Sequence, residues 1–125
     1  MTDAHGGRVE RMLRETQPEV RRLAVEQLSR LRGPDAARLL LLALGDDDWR
    51  VRKEAALVAP SCEPRQLVLH ALAGALTERE NIGLRNAVVE ALIAIGTDSI
   101  SLAIDAVEHL DADGRKLAVE VLGGV

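Results

Sequence analysis

Residues 20–31 read VRRLAVEQLSRL, and residues 114–125 read GRKLAVEVLGGV. In register they share Arg, Leu, Ala, Val, Glu and Leu, with Lys116 standing where the first copy has Arg22. Two weaker copies lie between them, VRKEAALVAPSC at 51–62 and LRNAVVEALIAI at 84–95. The arginine in second place is Arg21, Arg52, Arg85 and Arg115 in turn, at spacings of 31, 33 and 30 residues. A fixed period of this length marks a stack of small units, none of which can bury its apolar face alone.

Each copy carries apolar residues at helical spacing. Val20, Ala24, Leu28 and Leu31 form one stripe, and Leu84, Val88, Leu92 and Ile95 form another. Second helical segments lie between the copies, at about 35–44, 65–76 and 98–110. Pro34 and Pro64 stand near two of their starts, where a missing N–H costs least. Gly33, Gly45 and Gly96 follow helical stretches, as stops do. The pattern predicts an all-α fold of about eight helices in about three and a half pairs. It reads as one domain over 1–125, with a capping helix in 1–16 and repeats near 17–46, 47–79, 80–110 and, incomplete, 111–125. Pro60 should end the first helix of the second repeat near Ala59.

The run GDDDWRVRKEAAL at 45–57 raises a choice between an acidic site and repeat punctuation. Aligned repeats put Gln17, Asp48, Asn81 and Asp111 in one column before each first helix. Three of these are strong N-cap types. The next column reads Pro18, Trp49, Ile82 and Ala112, so Pro18 fits the first helical position and Trp49 should lie over a repeat junction. Asp46 and Asp47 complete the turn and oppose the helix dipole. Carboxylates in a row along a turn do not converge on one point, and no His lies near them. The cluster therefore reads as turn and cap, with no metal, cofactor or catalytic residues expected.

Composition narrows the function classes. The chain of 125 residues is 47% hydrophobic, with no Phe or Tyr and one Trp. That suits closely packed helices, and suits sites that stack bases or flat cofactors poorly. The net charge of −4 gives no general pull toward nucleic acid or anionic lipid. Within the helices, Arg22–Glu26 and Lys116–Glu120 are expected as opposite-charge pairs that offset any basic stripe. Cys62 is the lone cysteine and reads as a small packing residue in a reducing compartment. His5, His70 and His109 are scattered, with His70 expected half exposed. The start has no apolar signal-peptide core, and LLLLAL at 39–44, taken as the longest apolar run, cannot span a bilayer. A cytoplasmic chain with no membrane partner is expected.

Paired helices of about 30 residues, joined by an Asp-containing turn and followed by V-R-x-x-A-x-x-x-L, resemble HEAT repeats. The bacterial HEAT-like repeats related to those of phycobilin lyases are the nearest likeness. It rests on QPEVRRLAVEQLSRL, DDDWRVRKEAALVA, NIGLRNAVVEALIAIG and DADGRKLAVEVLG. The resemblance implies an α-α superhelix. It also implies a hydrogen-bonded ladder between repeats, with Asp48 facing Arg21, Arg52, Arg85 and Arg115. Gln17 and Gly114 depart from the pattern.

Stacked repeats leave an extended concave face, which the resemblance places on the second helices. Counting back from the helix ends, its outward positions are Arg38, Leu42, His70, Gly74, Ser101, Asp105 and Glu108. Four consecutive leucines cannot all face inward, so Leu42 is expected outside. The expected function is a non-catalytic scaffold that binds a protein partner on this face. The alternatives are an enzyme, or enzyme fragment, of the phycobilin-lyase type and a nucleic-acid-binding module. Finally, the fourth repeat lacks a second helix. Leu117, Val121, Leu122 and Val125 are therefore expected to seek cover, by self-association or by continuation of the array.

Overall fold

Helix after helix follows the predicted period in the computed structural model, which describes residues 4–109 and 112–125, with side chains at all of these except 4, 105–109, 113 and 114. The α-helices among the described residues are α1 (Ala4–Leu13), α2 (Pro18–Glu26), α3 (Pro34–Leu44), α4 (Trp49–Val58), α5 (Arg65–Ala75), α6 (Ile82–Ile95), α7 (Ile100–His109) and α8 (Ala112–Gly124). No strand occurs among the described residues. First helices α2, α4, α6 and α8 pack side by side in one layer, and second helices α3, α5 and α7 in the other. The terminal helix α1 packs against both α2 and α3. The chain is a helical solenoid of stacked pairs.

The boundaries have local causes. Pro18 opens α2 and Pro34 opens α3, each where an N–H would be left over. Pro60 cannot continue α4, which tightens into a 3-10 turn over Ala59–Ser61. Gly33 and Gly96 take φ of 82° and 81°, a backbone that side chains resist. Ser99 is fully buried, and its one hydroxyl hydrogen is shared between the carbonyls of Leu92 (2.8 Å) and Gly96 (2.7 Å) at the end of α6. Residues 82–104 form a longer apolar run than 39–44, with mean hydropathy 1.8 over a window long enough to cross a bilayer. Gly96 and the 3-10 turn over Gly96–Ser99 break it into two packed helices.

The core runs through the stack as Val9, Val25, Leu28, Leu40, Leu44, Val51, Leu72, Val88 and Leu92, with further leucines, valines and alanines between them. Alanines 24, 36, 55, 91 and 118 are within 1% of full burial and let the helices approach closely. Cys62 is buried among them, its thiol donating to Val58 O at 3.5 Å, and burial pushes that thiol up to about 11. It is a packing residue, as expected, since a thiol so protonated is a weak nucleophile.

The last helix runs on through Gly123 to Gly124. Val121 is fully buried, and Leu117 and Leu122 pack partly on the core. The exposed apolar residues there are Val119 and Val125. Val119 is the counterpart of Val25, which is buried. Within the same LAVE sequence the valine is thus covered in α2, which has α3 behind it, and exposed in α8. Leu23 is 49% exposed and faces out of the first-helix layer.

Candidate protein-binding surface

At the turn between α3 and α4, Asp46 is the hub. Its carboxylate accepts from Arg21 Nε at 2.9 Å and Nη2 at 3.2 Å, with side chains 10% and 15% exposed. Its Oδ1 also accepts from the Asp48 N–H, and its carbonyl accepts from Arg52 Nη1 at 2.7 Å. Arg21 further donates to the Glu15 and Thr16 carbonyls, and Arg52 to the Asp47 carbonyl. One arginine thus ties its own turn to the turn of the following repeat.

The expected ladder needs correction. The inter-repeat carboxylate is Asp46, not Asp48. The Asp48 side chain is engaged elsewhere, capping α4 by accepting from the Arg50 N–H (2.8 Å) and pairing with the Arg50 guanidinium (3.0 Å). Nor is the ladder continuous. The position two before the cap is Arg79 in the next repeat, so Arg52 meets no carboxylate there and lies along Gly83 instead. Arg85 makes no hydrogen bond to the described residues, and its Nε is buried without a partner among them. Arg115 is exposed. Asn81 caps α6 through the Leu84 N–H (2.9 Å), and its amide reaches back to Gly45 O at 3.5 Å. Gln17 stands at the cap position of α2 without a side-chain cap bond. Asp111 lies outside the described residues. Arg22 turns back to Glu19 at 2.9 Å rather than on to Glu26, a three-residue pair available one turn earlier.

The Arg50 pair and backbone N–H hold the Asp48 carboxyl down to about 2, from an ordinary 3.8. A carboxyl depressed in the folded state stabilises above its unfolded value, and that help fades as pH falls from about 3.8 to about 2. Asp48→Ala should lower the thermal midpoint by a few degrees near neutral pH, and the gap to wild type should close in strong acid. A gap constant down to pH 2 would contradict the cap.

On the second-helix layer, the described residues of the expected surface are all exposed: Arg38 and Leu42 on α3, His70 and Gly74 on α5, and Ser101 on α7. The side chains of Asp105 and Glu108 lie outside the described residues. Among the four leucines, Leu39 and Leu40 are buried, Leu41 is half-buried and Leu42 is 38% exposed. The positions are not equally open. Arg38 is drawn onto α1 by Glu10 (3.0 Å) while holding Asp35 (3.0 Å), and Glu10 is held below its usual range by Arg38 and Arg14. Leu42 borders a depression of about 330 Å³ with Leu13, Arg14, Glu15, Arg21, Asp46 and Asp47. Helix α1 therefore walls this end of the face, an arrangement that the repeat period could not reveal.

The first-helix layer was passed over in the sequence and carries larger exposed apolar side chains. Trp49 is 61% exposed, Leu57 63% and Ile82 66%. Trp49 sits between two grooves, one toward α6 with Arg52, Lys53, Asn86 and Glu90, the other toward α2 with Glu19, Arg22 and Glu54. It lies over the repeat junctions as expected. Among the described residues no three His, Cys, Asp or Glu side chains are grouped to hold a metal ion.

These features define a repeat protein built from helix pairs tied turn to turn. The family model for HEAT repeats matches residues 7–60, and that stretch is similar to HEAT repeats. No curated protein matches it. A crystal structure described as an engineered protein, from the Northeast Structural Genomics Consortium, is similar at 16% identity with a TM-score of 0.43. The match covers 99% of this chain and 64% of that one, so this chain spans about 64% of its length. The narrower likeness to phycobilin lyases is carried by none of these matches.

Proposed function

We propose that this HEAT-like repeat scaffold binds a protein partner on its second-helix face, without catalysis, in a reducing compartment such as the cytoplasm. The observation that supports this reading is the row of exposed positions on adjacent helices, Leu42, His70, Gly74 and Ser101, beside fully buried neighbours. Around Leu42 an exposed apolar group borders a depression with charged walls, as recognition surfaces do. A Cβ added at Gly74 would meet nothing within 4 Å, so a partner backbone can approach closely there.

Affinity capture with quantitative mass spectrometry tests the reading. Wild-type protein should retain a specific partner that Leu42→Asp loses at least tenfold, with the helical circular dichroism unchanged. Equal capture by both would remove the second-helix face from the proposal. Salt-sensitive retention on DNA, or a visible absorption change on mixing with a bilin, would instead support the nucleic-acid or lyase-type alternative.

A further inference from the structure

The ladder is half built at Arg52. Its counterpart Arg21 divides its donors: Nη1 goes to the Glu15 and Thr16 carbonyls of its own turn, and the Nε/Nη2 edge holds the Asp46 carboxylate of the next turn. Arg52 repeats the first half, with Nη1 donating to the Asp46 and Asp47 carbonyls. The second half is missing, because the next turn carries Arg79 where Asp46 stands. That turn, over 77–81, lies wholly within the described residues, and none of them accepts from the Nε/Nη2 edge of Arg52. Unlike the Nε of Arg85, this edge is not buried and stays within reach of solvent. The guanidinium lies along Gly83, where a Cβ would come to 3.3 Å from its Nε. It walls a groove of about 320 Å³ between α4 and α6, together with Trp49, Lys53, Asn86 and Glu90. Lys53 and Glu90 are exposed, and Trp49 is 61% exposed. The groove thus sets two cations against one anion, beside the chain's one tryptophan.

We propose that the groove between α4 and α6 binds a carboxylate side chain, presented with flanking apolar residues by a protein partner. The incoming carboxylate takes the place at Arg52 that Asp46 holds at Arg21, with Lys53 as the second cation. Two parallel N–H donors on one guanidinium edge match the bite of a carboxylate. The stack already uses that edge for an aspartate, at Arg21. Glu90 on the same groove repels a phosphate dianion more strongly than a carboxylate. Trp49 favours a peptide over a free anion, since an exposed indole beside a charged anchor suits an apolar side chain next to the carboxylate. The site is on the layer opposite Leu42 and does not depend on that face.

The test follows two local signals, the emission of Trp49 and the Nε–H resonance of Arg52 in 15N-labelled protein. The probes are acetyl-Leu-Asp-Leu-amide, its Asn counterpart and inorganic phosphate, each titrated into the millimolar range. The Asp peptide should move both signals saturably, with one midpoint, and the Asn peptide should move neither. The Arg21 resonance, already paired, should stay in place. Lys53→Gln should weaken the midpoint about threefold, as expected for one exposed charge. Arg52→Gln should abolish the Trp49 response, but it also unties a turn. Arg79→Asp keeps Arg52 and puts a carboxylate where the ladder lacks one. It should fill the edge from within and weaken the peptide at least tenfold, with the helical circular dichroism retained. An unmoved Arg52 resonance, an equal response to the Asn peptide, a stronger response to phosphate, or unchanged peptide binding in folded Arg79→Asp would overturn the proposal. Because the readout is local to Trp49 and Arg52, it can fail while Leu42-dependent capture survives, and the reverse.

Discussion

Asp46→Ala should be the most damaging surface-turn substitution in this chain, and Asp48→Ala beside it a mild one. Deleting one member of a buried ion pair costs roughly 3–5 kcal/mol. Arg21 and Asp46 retain 15% and 10% exposure, so a loss of about 2–3 kcal/mol is expected in urea unfolding. The Asp48 N–H also loses its acceptor, and Arg21 is left facing half its hydrogen bonds. Asp46→Asn keeps an oxygen for the Asp48 N–H and should lose less. A double-mutant cycle with Arg21→Ala isolates the pair, and a coupling below about 0.5 kcal/mol would show that the turn is not held this way.

The contrast between these neighbours shows how far the sequence could be read. The repeat period located the helices within a few residues, because capping, Pro60 and the apolar stripes are local properties. Asp48 and Asn81 could be recognised as caps for the same reason. The ladder carboxylate could not. Arg21 reaches 25 residues ahead, to a side chain chosen by how one repeat is offset on the next. Three consecutive aspartates offer no local signal for which one faces α2. The interruption at Arg79 was visible as a charge reversal in the column of Asp46, once that column was known to matter. The wall that α1 forms beside Arg38 and Leu42 was likewise illegible, since α1 lies outside the period. On the other layer, exposed Trp49, Leu57 and Ile82 show that an apolar residue at helical spacing is not by itself core. In a two-layer stack, first helices have an outer side that sequence periodicity assigns only when the neighbours are placed.

Leu40→Asp should unfold the chain outright, while Leu42→Asp, two residues along the same helix, should not. Leu40 is 1% exposed and lies in α3, which packs against α4, α5 and α6. Losing a buried leucine forfeits roughly 1.5–3 kcal/mol. A carboxylate in its place must either stay charged in an apolar setting or take up a proton, which adds several kcal/mol. A domain of this size is stable by about 5–15 kcal/mol in total. The sum removes most or all of that margin, so the helical circular dichroism of Leu40→Asp should be lost at 25 °C, or melt without cooperativity. Leu42 already meets water over 38% of its surface, and its Asp variant should melt within a few degrees of wild type. The pair fixes the rotation of α3 about its axis. That rotation decides which residues the second-helix face presents, so it bears on function as directly as on stability. If Leu40→Asp melted like wild type and Leu42→Asp collapsed, α3 would be turned by about half a revolution, and Leu39 and Leu40 would be the leucines offered to a partner.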